Sequence, residues 1–178
     1  MSLIELMLAL TMLVVGMAGA LVLITTAIAA NNRNKVDTGA TLAAQMVIET
    51  IAAQPGDTIV TIHDCNSTVA GGTSFNINTA GGGAPGTSAG AALVDGKIDF
   101  TQTVANVPLG YGMQYVACGS GGRQMTYDVR WNVRTNNPYS KVVTVSARQA
   151  NLSAAANGNN LRFFTPPVTL RTIAVAGN

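Results

Sequence analysis

Between Leu3 and Ala30 the chain carries a single charged side chain, Glu5, and no other Asp, Glu, Lys or Arg appears before Arg33. The nineteen residues from Leu6 to Ile24 are diluted only by Thr11, Gly16 and Gly19. A run of that length and composition is enough to cross a bilayer as a helix. A charge within such a run costs a few kcal/mol or more and by default marks function. Any fold for this chain must therefore place one long apolar helix and find a partner for Glu5.

Helical character continues beyond the apolar run. From Asn31 to Gln54 the pattern turns amphipathic, with Val36, Ala40, Ala43, Val47 and Ile51 at three-and-four spacing and Arg33, Lys35, Asp37 and Glu49 between them. Pro55-Gly56 ends it, because proline cannot continue a helix and glycine takes the turn readily. Ser2-Leu3-Ile4-Glu5 has capping-box spacing, so the helix is expected to start almost at residue 1. Such a helix would be about 80 Å long at 1.5 Å per residue. A small domain buries no helix of that length, so the first half is expected to project. Gly16 and Gly19 each cost about 1 kcal/mol relative to alanine. They mark the stretch through Thr25 and Thr26 as the easiest to unwind, or else as a site of close helix packing.

After the helix the period changes to two. Short strands are expected at Asp57 to His63 and Ser74 to Asn78, and another at Lys97 to Val104. Residues 71–90 form a glycine-rich loop, with Gly81-Gly82-Gly83-Ala84-Pro85-Gly86 at its centre. Gln124 to Thr135 alternates most clearly: Tyr127, Val129, Trp131 and Val133 share one face, Asp128, Arg130, Asn132 and Arg134 the other. Asn136-Asn137-Pro138 turns the chain into Lys141 to Arg148, and a last strand follows Pro166-Pro167 at Val168 to Val175. The fold class is α+β. Its parts are an apolar helix over 1–30, an amphipathic half over 31–54 and a sheet domain over 55–178. In that domain the amphipathic half lies on a four- or five-stranded antiparallel sheet.

Composition narrows the setting. Of the 178 residues 48% are hydrophobic, concentrated at the N-terminal end, and only 10% are charged, against roughly 25% in ordinary domains. The neutral, hydroxyl-rich remainder suits dense packing against copies of itself. A net charge of +2 is too small to make nucleic acid the main partner. The arginines Arg130, Arg134 and Arg148 on one sheet face are read as a solvated face. Cys65 and Cys118 both follow the apolar segment, and an even count outside a membrane points to one disulfide in an oxidising compartment. That bridge would close a loop of about fifty residues and stabilise the domain by roughly 4 kcal/mol. A secretory signal peptide is disfavoured as the reading of the N-terminus. No Lys or Arg precedes the apolar core, Glu5 stands there instead, and the run is too long.

No catalytic constellation emerges, and no enzyme activity is expected. Gly86-Thr87-Ser88-Ala89-Gly90 matches a nucleophile-elbow pattern, but that motif needs a strand before it and a helix after it. His63 is the one histidine available as a base. His63-Asp64-Cys65 lacks metal-ligand spacing, so neither a metal nor a cofactor is expected. Asn66-Ser67-Thr68 and Asn151-Leu152-Ser153 fit the N-glycosylation triplet.

The stretch Ser2-Leu3-Ile4-Glu5-Leu6-Met7-Leu8-Ala9-Leu10-Thr11-Met12-Leu13-Val14-Val15-Gly16 resembles the N-terminus of mature type IV pilins and pseudopilins. The following Met17-Ala18-Gly19 is similar to the minor pilins usually called V. Met1 stands where the family usually has Phe, and Val22 stands where it often has a helix-breaking proline, which shifts any melting onto Gly16 and Gly19. The resemblance implies that Met1 is an N-methylated first residue and that its amine pairs with Glu5 of a neighbouring copy. Unpaired, both charges would be costly in an apolar core. It implies a helical homopolymer of this chain, held in the inner membrane before assembly and extracellular afterwards. A prepilin peptidase and a pilus assembly machinery would be its partners, with no small-molecule substrate. Adhesion, motility and DNA uptake are the roles open to such a filament. The alternatives are a pseudopilin of a type II secretion system, favoured by a calcium site in the sheet domain, and a single-pass anchored binding module.

Overall fold

A computed structural model describes residues 3–54, 56–119, 124–150 and 166–176. The chain divides into two units, Met1–Val36 and Asp37–Asn178. One continuous α-helix, α1 (Leu3–Ala53), supplies every described residue of the first unit and the opening of the second. It runs unbroken through Gly16 and Gly19. It ends as expected next to Pro55, where Gly56 adopts a positive φ of 94°.

In the second unit the residues of α1 after Val36 pack on an antiparallel sheet. The predicted stripe is buried at every position, Val36, Ala40, Ala43, Val47 and Ile51. From Ala40 onward its members join a core with Tyr127, Val129, Trp131, Val133, Val143, Val145 and Ala147. The main sheet has five strands. β7 (Gln124–Asn137), β8 (Ser140–Gln149) and β9 (Val168–Val175) are neighbours in that order, while β3 (Ser88–Gly90) and β6 (Gly112–Cys118) share the other edge of β7. The register pairs Trp131 with Val145 and Val145 with Leu170, so the apolar residues of three strands fall on the helix side. Complete burial of each Val, Leu or Phe-sized side chain is worth about 1.5–3 kcal/mol, which makes this layer the main source of stability.

A separate two-stranded ribbon, β1 (Ile59–His63) with β2 (Ser74–Asn78), is tied to the sheet through side chains. Trp131 Nε1 donates to the Asn78 carbonyl at 3.0 Å, and the Tyr111 hydroxyl donates to the Ala80 carbonyl at 2.8 Å. Lys141 is buried beside the helix exit, where its Nζ donates to the carbonyls of Gly56 and Thr79 at 2.8 and 3.0 Å. Burial pulls the Lys141 ammonium below its ordinary pKa, partly offset by Asp57.

The sheet's other face departs from expectation. It is not a solvated face. Asp128, Arg130, Asn132, Thr144 and Ser146 are all buried, under a strip that starts with the hairpin β4 (Leu93–Val94) and β5 (Lys97–Ile98) and continues to a single 3-10 turn at Val104–Asn106. The expected strand Lys97 to Val104 is therefore wrong beyond Ile98. Asp99 Oδ1 accepts from the backbone N–H and the hydroxyl of Thr101, and this local turn takes the chain out of extended pairing. β3 and β6 were not anticipated. The glycine-rich loop contains β3, where Gly90, at φ 110°, lets the backbone approach Trp131 and Tyr111 more closely than a Cβ would allow.

Candidate assembly helix

The first unit's helix is built from strong helix formers, Leu, Met and Ala, with few β-branched interruptions before Val14. Every large apolar side chain from Leu3 to Ile28 is exposed. Exposed apolar patches on monomeric soluble proteins rarely exceed a few hundred Å², so this surface requires a cover. By length and composition the helix can cross a membrane, the property of an anchor or of a secretion signal.

Polar groups on this surface are almost all satisfied within the helix. The hydroxyls of Thr11, Thr25 and Thr26 donate to the carbonyls of Leu8, Val22 and Leu23, each at 2.9 Å. Glu5 lies in the first turn, where the helix dipole favours a negative charge. The ion pairs among the described residues are both made by Asp128, with Arg130 and with Arg148; Glu5 forms none. Met1 lies outside the described residues, so the predicted amine partner has no coordinates here. Nothing lies within 4 Å of a Cβ built at Gly16 or Gly19. Both positions are open to close approach by another helix.

Cys65 and Cys118 form the predicted disulfide, with a Cα–Cα distance of 6.0 Å. It joins the end of β1 to the end of β6, and Asp64 reinforces the junction. The buried Asp64 carboxylate accepts from the backbone N–H groups of Asn66 and Thr73 through Oδ1 and of Val116 through Oδ2, at 3.0, 2.5 and 3.3 Å. His63 is exposed, with Nδ1 at 3.1 Å from the Ser74 hydroxyl. Asn66 accepts from the Thr68 N–H and hydroxyl through Oδ1 and donates to the Thr73 hydroxyl at 3.3 Å. Its amide is therefore engaged within its own loop. Asn151 lies outside the described residues.

Ser88 of the elbow-like motif sits on β3, paired with Arg134, and leads into Gly90 rather than a helix. The geometry of a nucleophile elbow is absent from this segment. The one dense charge cluster, missed in the sequence, lies under the outer strip. Arg130, 1% exposed, grips Asp128 with two bonds of 2.9 and 2.8 Å and donates to the Gln102 carbonyl at 2.6 Å. Arg148 adds a longer contact to Asp128 at 3.3 Å, and Phe100 stacks on both guanidinium groups. Every charge there is answered from within, so the cluster fastens layers together. Only the distant strip of residues 91–107 makes it buried, and no local periodicity signals that.

No protein-family description, no curated protein and no solved structure matches the chain. The architecture itself is pilin-like: a long apolar N-terminal helix whose second half packs on an antiparallel sheet closed by a disulfide.

Proposed function

We propose that this chain is a structural subunit of a type IV pilus filament, polymerising through its N-terminal helix. The observation that carries the reading is an exposed, unbroken apolar helix whose single carboxylate, Glu5, has no ion-pair partner among the described residues. A second copy supplies what one copy lacks: apolar helices to cover Leu3 to Ala30 and a positive amine at Met1 to pair with Glu5. Desolvating either charge alone is costly, and pairing relieves both. Repetition of one such contact along an axis gives an open, heterologous assembly.

Before assembly the same helix resides in the inner membrane. Afterwards it forms the filament core, with the disulfide-bearing sheet domains outside. A prepilin peptidase and an assembly machinery act on the chain, which has no catalytic role of its own. Adhesion, motility or DNA uptake would be executed by the outer loops. The test is electron microscopy of filaments sheared from the cell surface and gold-labelled against this chain. Labelling along the filament supports a bulk subunit. Recovery of the chain solely as membrane-bound monomers would sink the proposal and favour an anchored binding module.

A further inference from the structure

The charges that flank the exposed helix are spaced like a bilayer. At 1.5 Å rise per residue, Glu5 and Arg33 lie about 42 Å apart along α1, and Glu5 and Lys35 about 45 Å. A bilayer measures about 40–45 Å across with its headgroup layers and about 30 Å across its hydrocarbon alone. Arg33 and Lys35 are exposed, the next residue, Val36, is buried, and α1 is continuous between all of them. Between Glu5 and Arg33 the helix carries no other charge, and its three threonine hydroxyls are satisfied internally.

We propose that Arg33 and Lys35 bind the phosphate groups of anionic phospholipids and set the depth of the helix, which places Glu5 in the headgroup layer of the opposite leaflet. This rests on the membrane-resident stage of the function proposed above. Long cationic side chains can reach the phosphates while their methylene stems cover apolar surface. Cations beside an anionic leaflet are attracted within a Debye length. A helix with a span longer than the hydrocarbon is fixed by such interfacial anchors rather than by its apolar length. With this placement Glu5 stays hydrated while the chain waits in the membrane. It loses water only on entering an assembly, so the cost of an unpaired carboxylate falls at the moment a partner becomes available.

The test uses the full chain reconstituted in vesicles of phosphatidylcholine and phosphatidylglycerol, with a depth-sensitive fluorophore on Leu6→Cys or on Ala30→Cys. Quenching by lipids brominated at different depths gives the position of each label. Both labels are expected near opposite hydrocarbon boundaries. Arg33→Gln with Lys35→Gln is expected to move both by about one helical turn, 5 Å, in the same direction along the membrane normal. Arg33→Lys with Lys35→Arg should restore the original depths, and Glu5→Gln should leave them unchanged. Unmoved labels in the Gln variant, or a clear shift on Glu5→Gln, would overturn the proposal while leaving a membrane span intact. Labels quenched only from water in the unaltered helix would overturn the membrane stage itself.

Discussion

A methyl group added at Gly39 would overlap the hydroxyl of Tyr127, which is buried against α1. Alanine is favoured over glycine in a helix by about 1 kcal/mol, yet overpacking a well-filled core costs about 1–3 kcal/mol. Gly39→Ala is therefore expected to lower the thermal unfolding temperature, and Tyr127→Phe, which removes the obstructing oxygen, should recover part of the loss. The same phenol bears on alkaline stability. Burial raises Tyr127 and Tyr111 above the ordinary phenol pKa, with Asp57 adding to the effect at Tyr111. Above about pH 10 the unfolded phenols lose protons that the folded ones keep, so stability falls as pH rises. Lys141, shifted down by burial, acts in the opposite sense, but only until its unfolded form titrates near about pH 10.4. Denaturant midpoints should therefore decline most steeply beyond about pH 10.5, and the double variant Tyr111→Phe, Tyr127→Phe should flatten that decline.

The disulfide and the buried charge cluster govern how elements hold together. Replacing Cys65 and Cys118 by serine reopens a loop spanning 53 positions and is expected to cost about 4 kcal/mol, read as a lower midpoint that reductant reproduces in the parent chain. Asp128→Asn leaves Arg130 buried without its countercharge, a change worth about 3–5 kcal/mol, with loss of the outer strip's protection from hydrogen exchange as its signature. These elements differ in how far the sequence discloses them. β7 and β8 were legible because strict alternation about Trp131 and Val145 records a sheet with one apolar face. The burial of Arg130 was not, because alternation with charges reads as a face in water, and its cover comes from residues 91–107. Within that strip Asp95-Gly96, with φ of 50° and 73°, is a strong tight-hairpin signal that the apparent strand after Lys97 obscured. β6 escaped because its pairing with β7 places Gly112 opposite Arg130 and Tyr115 opposite Tyr127, without clean alternation of its own.

At the scale of the whole molecule, the chain combines a self-sufficient sheet domain with a helix that needs company. The sheet domain satisfies its charges internally, through Asp64, Asp128 and Lys141. Along the first unit no such closure exists for Glu5 or for the apolar surface around it. The lone carboxylate and its apolar setting are contiguous in sequence, which is why they were readable before any coordinates. The account's central claim is that Glu5 acts between copies. It is tested most directly by measuring how Glu5→Gln partitions the chain between sheared surface filaments and the membrane. The account predicts normal membrane levels and an intact disulfide, with the filament fraction reduced at least tenfold, a change equivalent to about 1.4 kcal/mol or more. Filaments formed in undiminished amount by the Glu5→Gln chain would contradict it.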